Sequence, residues 1–334
     1  MAGHAALHEH EPAEAPSARI GAAIAGVGHA VPPTIVTNAE IARRLGVDED
    51  WIVSRTGTRE RHVLGPGERL ADLAAAAAAG ALEQARVAAH DVELVLVGTT
   101  SSDEMSPHTA ALVAGDIGAD GAAAMDVSAA CTGFLSGLSL AAAAIEAGRI
   151  RTALVLGADG LSRYVDRDDR GPAMLFGDGA GAAVLTATDG PARVGPVLLR
   201  SDATNRHLIR LARDESLIRM DGPTVFRHAV RLLSEVTHEA TAAAGIAVED
   251  VDLFVYHQAN ARIVRAVGRE LALPDERVVD VVDRFANTSA ASLPIALSVA
   301  RDEGRLRPGA TVLLAAFGAG LVWGGAVVRW PDAA

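Results

Sequence analysis

The chain repeats itself. Residues 85–97 read ARVAAHDVELVLV and residues 244–256 read AGIAVEDVDLFVY, an offset of 159. The stretch CTGFLSGLSLAAAAIEAGRI from Cys131 matches NTSAASLPIALSVARDEGRL from Asn287 at an offset of 156, which sets Thr132 on Thr288, Gly148 on Gly304 and Arg149 on Arg305. TALVL from Thr152 and TVLLA from Thr311 return to 159, as an insertion of three residues near 307–309 in the second copy would produce. One such match between alanine-rich segments arises by chance. Three in the same order at nearly one offset point to a duplicated chain, which must fold as two similar halves.

The apolar runs LVLVG, ALVLGA, AAVL, LFVY and VLLAAF are short, continuous and bounded by turn residues. Strands covered on both faces have this pattern, and helical segments alternate with them. Two α/β halves, 19–190 and 191–332, are therefore expected, each a mixed sheet between helices. Residues 1–18 carry three histidines and two prolines without periodicity and read as a disordered leader. His8 and His10 have the chemistry to bind a metal, but no metal site is expected. In this register Cys131 and Asn287 occupy equivalent points, each at a loop-to-helix junction, so a pseudo-twofold would bring both to one central site.

Half of the 334 residues are hydrophobic but only 3% are aromatic, so the core must be built from Ala, Val, Leu and Ile. All 30 basic residues are arginine. Without lysine there is no Schiff-base or pyridoxal-phosphate catalysis and no P-loop lysine. A formal charge of −12 argues against a general nucleic-acid binder. The single cysteine rules out an intrachain disulfide, and no signal peptide is legible. The small-apolar run Ala74 to Ala79 is too short to span a membrane. A cytoplasmic protein is expected.

Three residues stand out for chemistry. Cys131 precedes a helical stretch, where free N–H groups and the helix dipole would lower its pKa and make it nucleophilic; a buried structural thiol is the plain alternative. His257 follows the buried run DLFVY, and α/β proteins place site residues at strand ends, although core histidines also occur there. Asn287 lies in FANTSAAS, whose Thr288 and Ser289 are suited to capping the next helix. The run GDGAGA from Gly177 imitates a dinucleotide loop, but the AAVL that follows reads as a strand rather than a helix. The order Cys, His, Asn also occurs in papain-like hydrolases, whose local cysteine signature is absent here.

Together, DVSAACTGF, HQANARI and ANTSAAS resemble the three active-site motifs of β-ketoacyl-acyl-carrier-protein synthase III, a condensing enzyme of the thiolase superfamily. WIVSRTGTRER, DRGPAMLFGDGAGAAVL, MDGPTVFRHAV and AAFGAGLVWGGAVV extend the resemblance over nearly the whole chain after the leader. The resemblance implies a thiolase-like fold of two duplicated halves in five layers, αβαβα. It also implies a homodimer that uses acyl-CoA and malonyl-loaded acyl carrier protein and needs no cofactor. Cys131 would carry the acyl group, while the backbone N–H groups of Cys131 and Ala319 hold the oxyanion, each such donor being worth roughly 3 kcal/mol of barrier. His257 and Asn287 would hold the enolate formed when the malonyl group loses CO2.

By the same resemblance, CoA would be gripped by Trp51, Arg55, Arg170, Asn260 and Arg262. The acyl pocket would be lined by Ser106, Leu161, Phe176, Phe226 and Phe317. Arg227, Arg262, Arg265 and Arg269 would receive the acidic carrier, the last three sharing a helix face by their spacing. Ser106 matches a position that in some relatives is an aromatic reaching across the dimer to shorten the partner's pocket, so a primer bulkier than acetyl is expected. Ala286 and Ala319 stand where the family has glycine, and 199–217 is shorter than in typical relatives. A relative that transfers its acyl group to a small molecule without decarboxylation is the main alternative function. A non-catalytic partner subunit would be expected to lack the cysteine.

Overall fold

The computed structural model describes residues 20–331; the leader expected at 1–18, with His8 and His10, lies outside them. The first half runs β1 (Gly21–Ala30), β2 (Ile35–Thr37), α1 (Asn38–Leu45), α2 (Glu49–Thr56), β3 (Glu60–His62), α3 (Leu70–Ala85), β4 (Leu94–Gly98), α4 (Thr109–Ile117), β5 (Ala123–Val127), α5 (Gly133–Glu146), β6 (Thr152–Gly160) and β7 (Asp178–Thr188). The second runs β8 (Arg193–Val194), β9 (Leu198–Ser201), β10 (Ile209–Leu211), β11 (Ile218–Met220), α6 (Gly222–Ala243), β12 (Leu253–Tyr256), α7 (Ala261–Glu270), α8 (Val282–Phe285), α9 (Ser292–Asp302), β13 (Thr311–Gly318) and β14 (Val322–Arg329).

Two mixed sheets carry the same order of strands. The first is β1-β7-β6-β4-β5, with β4 parallel to β5 and β6, and β7 antiparallel to its neighbours. In the second, β12 lies parallel to β13, β14 runs antiparallel to it, and β8 and β9 pair with β14 as β1 does with β7. The place of β5 is taken by a single bridge from Phe254 to Val278. Among the described residues no helix is long and apolar enough to cross a membrane.

The period of two along each strand builds the layers. Leu94 and Leu96 of β4 face inward, as do Val155 of β6, Val255 of β12, and Val312 and Leu314 of β13. They pack on the central helices α5 and α9 through Phe134, Leu138, Leu293 and Leu297. The alternate residues Val95 and Val97 face outward onto α3 and α4, through Ala74, Ala77, Ala81 and Val113. In the second half Phe254, Tyr256, Leu313 and Ala315 face outward onto α6 and α7. The layers are therefore α3/α4, first sheet, α5/α9, second sheet, α6/α7, which is the five-layered αβαβα arrangement. Burial of each Leu or Val in these seams contributes about 1.5–3 kcal/mol.

Small residues let the central layer sit close to the sheets. A Cβ on Gly98 of β4 would strike the backbone of Gly133, the first residue of α5, and one on Gly157 of β6 would strike the Ala290 carbonyl. The GDGAGA run is the start of β7, not a phosphate loop; a Cβ on Gly181 would lie 2.8 Å from the Ile295 backbone nitrogen of α9.

The register of the repeat differs from the sequence match at one place. A 3-10 turn precedes each central helix, Ala130–Thr132 before α5 and Ser289–Ala291 before α9. The first residue of each turn has positive φ, 46° at Ala130 and 53° at Ser289, again 159 positions apart. Cys131 thus corresponds to Ala290, and Asn287 lies three residues earlier. In the second copy the central helix is three residues shorter, 14 residues in α5 against 11 in α9, and the loop after it is three longer, from the positive-φ Gly304 to Thr311 against Gly148 to Thr152.

Candidate active site

Cys131 sits in the turn ahead of α5, half-buried, on the wall of a cavity of about 1520 Å³. The same cavity is lined by His257, Asn287 and Ala319. Each arrives on a different element. His257 follows the end of β12, Asn287 follows α8, and Ala319 follows the end of β13. A Cβ on Gly318 would lie 2.8 Å from the Cys131 nitrogen and 3.1 Å from its Cβ, so the end of β13 runs directly against the cysteine turn. Ala319 does not have positive φ, so the alanine meets no backbone strain there. Ala286 does, with φ 56° and ψ −154°, a conformation that favours glycine.

The cysteine departs from the expectation of a depressed pKa. Burial, with the Asp159 charge adding to it, pushes the thiol up to about 12 despite a hydrogen bond from Ser289. Desolvation of the thiolate outweighs the hydrogen bonds from Ser289 and from the backbone N–H at Cys131. The Ser289 hydroxyl donates to Cys131 Sγ at 3.5 Å, so Ser289 meets the cysteine rather than capping α9. Thr288 does not cap it either, and its buried hydroxyl has no partner among the described residues.

His257 is buried, and burial lowers its pKa to about 3, leaving a neutral ring. Its Nδ1 lies 2.5 Å from the Ser292 hydroxyl, which also accepts the Gln258 backbone N–H at 3.3 Å. That contact engages Nδ1 and leaves Nε2 as the ring nitrogen without a hydrogen-bond partner among the described residues. Gln258 fixes the loop by donating to the Tyr256 and Val279 carbonyls and accepting from the Val281 N–H. Asn287 Oδ1 accepts the Ser289 N–H at 2.9 Å, which leaves its Nδ2 as the donor end.

The other expected residues divide. Arg55, Asn260, Arg262, Arg227, Leu161, Phe176, Phe226 and Phe317 line the cavity, and Trp51, Arg170, Ser106, Arg265 and Arg269 do not. The Arg55 guanidinium lies 4.5 Å over the Trp51 ring, and that of Arg262 lies 5.4 Å over Phe226. Asn260 caps α7 by accepting the Arg262 N–H and ties that helix to the Arg55 carbonyl. Arg170 donates to the Leu45 carbonyl, and Arg265 pairs with Asp280. Ser106 is exposed. The hairpin of β10 and β11 adds Ile209, Leu211, Ile218 and Met220 to the wall. The sequence reading missed Asp159, Gln258 and Ser292. Asp, Gln and Ser carry no local signal of such roles, and apart from the Tyr256 carbonyl beside Gln258 the partners that reveal them lie 21 or more positions away.

Residues 125–203 match the profile of 3-oxoacyl-(acyl-carrier-protein) synthase III, and residues 241–330 match that of its C-terminal part. Beta-ketoacyl-(acyl-carrier-protein) synthase III 2 of Streptomyces coelicolor is 46% identical over 317 residues, 94% of this chain and 96% of that protein. The synthase III of Rhizorhabdus wittichii is 44% identical, covering 92% of this chain and 99% of its own. The crystal structure of the synthase III from Aquifex aeolicus superposes with a TM-score of 0.90 at 36% identity, covering 93% of this chain and 100% of that one. The priming β-ketosynthase of the R1128 polyketide pathway gives 0.90 at 35%, covering 96% and 99%. Likeness of this extent, in sequence and in shape, places the chain in the 3-oxoacyl-(acyl-carrier-protein) synthase III family.

Proposed function

We propose that this enzyme is a β-ketoacyl-acyl-carrier-protein synthase III that loads an acyl group from acyl-CoA onto Cys131 and condenses it with malonyl-loaded acyl carrier protein. The products are β-ketoacyl carrier protein, CO2 and CoA, and the reaction starts a fatty-acid or polyketide chain in the cytoplasm. The thiol attacks the thioester, and the backbone N–H groups of Cys131 and Ala319 hold the oxyanion. The malonyl group then loses CO2. His257 Nε2–H and Asn287 Nδ2–H hold the resulting enolate while its carbon attacks the acyl-cysteine.

The observation that carries this reading is that Cys131, His257, Asn287 and Ala319 line one cavity in a chain of this family. A histidine whose pKa is lowered to about 3 is a poor base for an alcohol or amine acceptor but a good N–H donor. It suits an enolate better than it suits plain acyl transfer. Every step is assigned to side chains, backbone donors and the thioesters themselves, so the reaction calls for no cofactor or metal.

Arg55, Asn260 and Arg262 at the cavity wall are assigned to the CoA arm, with the Trp51 ring under the Arg55 guanidinium. Arg170, which is bonded to the Leu45 carbonyl, is assigned to the CoA nucleotide by the family resemblance alone. Arg227, Arg262, Arg265 and Arg269 form the basic face for the carrier. Leu161, Phe176, Phe226 and Phe317 line the acyl end, and Ser106 leaves room for a primer larger than acetyl. The working unit is a homodimer.

Intact-mass measurement with straight and branched acyl-CoAs should show one added acyl group on the native enzyme and none on Cys131→Ala. Adding malonyl carrier protein should then release CO2 and β-ketoacyl product. Equal acylation of the variant refutes the nucleophile. Acylation without CO2 release favours plain acyl transfer, and activity with acetyl-CoA alone rejects the larger primer.

A further inference from the structure

Arg61, on β3, is the largest of the fully buried side chains, 1% exposed. Its guanidinium donates to three neutral oxygens: the Val36 carbonyl at 3.2 Å, Asn38 Oδ1 at 2.9 Å and the Met174 carbonyl at 3.2 Å. Its Nε has no partner among the described residues. Burial lowers its pKa to about 10, which leaves it charged at neutral pH. A buried charge with neutral partners stabilises a fold less than an apolar side chain of the same volume would, so this arginine calls for a further use. The Met174 contact shows where that use lies. Just beyond it, the Asn287 N–H donates to the Leu175 carbonyl at 2.9 Å, and the Gly177 N–H donates to the Asn287 carbonyl at 3.0 Å. Phe176 and Asn287 are thereby bridged as residues of neighbouring parallel strands are.

We propose that Arg61 is a positioning residue for Asn287: its guanidinium anchors the 174–177 segment, and that segment's backbone holds the Asn287 amide where it meets the enolate. The inference rests on the reading of Asn287 as an enolate donor. Asn287 follows Ala286, whose φ of 56° and ψ of −154° are unfavourable for alanine. Such a backbone persists only where its surroundings over-determine it. The bonds to Leu175 and Gly177 supply that constraint on the main chain, and the Ser289 N–H on Oδ1 fixes the rotation of the amide. Without the guanidinium, the Met174 end of the segment loses its tie to β3.

The packing around the segment agrees with this role. A Cβ on Gly177 would lie 3.2 Å from Arg61 Cβ and 2.7 Å from the Phe285 carbonyl, so the segment is wedged between β3 and the end of α8. The Arg59 N–H, just before β3, donates to the Asp283 carbonyl of α8 at 2.9 Å and ties the same two elements together. Three oxygens from β2, the start of α1 and the 174 turn need a rigid fork of several N–H donors, which arginine has and shorter neutral side chains lack. The cysteine turn is held elsewhere, against Gly98 and Gly318. Loss of Arg61 should therefore fall on the enolate step and spare acylation.

Two rates separate this role from a structural one: acylation of Cys131 by acetyl-CoA, and single-turnover CO2 release when malonyl carrier protein meets the acetylated enzyme. Arg61→Met keeps the bulk and removes the donors. It should slow CO2 release at least about tenfold and acylation less than about threefold. In an Asn287→Ala background the same change should slow the residual CO2 release less than about twofold, because the group that Arg61 positions is gone. Equal slowing of both rates, or an undiminished further loss in the Asn287→Ala background, overturns the positioning role. If Arg61→Met does not melt cooperatively, Arg61→Lys takes its place, since it keeps the charge but cannot span the three oxygens. Slowed CO2 release with acylation intact then supports the role, and CO2 release at the native rate overturns it. A native enzyme that acylates but releases no CO2 instead overturns the condensation reading, and the role of Arg61 with it.

Discussion

His257 has its ordinary pKa near 6.5 when the chain unfolds and about 3 in the folded protein. Below pH 6.5 the unfolded chain binds a proton that the native site refuses, so this residue's contribution to stability is lost as the pH falls from there towards 3. The slope approaches about 1.4 kcal/mol per pH unit, which comes to about 2 kcal/mol between about pH 7.5 and pH 5. Urea unfolding at those two values should show His257→Asn losing about 2 kcal/mol less than the native protein. Ala286 offers a test of the opposite sign. Its positive φ stores strain of about 1–3 kcal/mol that glycine does not feel, part of which returns as glycine's greater freedom when unfolded. Ala286→Gly should raise stability by about 1 kcal/mol in urea unfolding while acylation persists.

The elements that matter most are the two turns ahead of α5 and α9, because they bring Cys131 and Ser289 together from opposite halves. Their approach depends on Gly98 and Gly157, which leave no room for a side chain between sheet and turn. Gly98→Ala should push back the start of α5 and cost about 1–3 kcal/mol through overpacking. It should also slow acylation at least about tenfold, since the oxyanion site depends on the cysteine turn meeting Gly318. Stopped-flow acylation and a thermal melt of the variant check both. The strands themselves were legible: LVLVG, LFVY and VLLAAF mark buried strands because apolar runs of that length admit few other uses. The helix length difference was not. Alanine-rich helices align in several registers, so the match of Thr132 with Thr288 placed Cys131 opposite Asn287, whereas the positive φ at Ala130 and Ser289 sets it opposite Ala290. Nor did local pattern reveal that Ser292 faces His257 or that Asp159 lies behind Ser289, since the Ser292 contact spans 35 residues of chain and the Asp159 bond to Ala290 spans 131.

At the scale of the whole molecule, β5 forms one edge of the first sheet and pairs only with β4. Edge strands of soluble proteins are commonly protected by lysine, proline or a bulge. This one reads AAMDV, with Met125 46% exposed. An apolar edge of that kind suits pairing with a second copy of itself across a twofold axis. The position matters for chemistry, because Asp126 of β5 and His108, which bonds to the Ala124 carbonyl, line the cavity together with the exposed Met105. If the proposed homodimer joins here, Met125→Glu places two charges against each other at the twofold and should convert the dimer to monomer in sedimentation equilibrium. The monomer should retain its fold, since Met125 lies outside the three main packing seams. Its acylation rate should fall at least about fivefold as the cavity loses its outer wall to solvent. A Met125→Glu protein that remains dimeric moves the interface to another face, and a fully active monomer removes any need for the partner in forming the cavity.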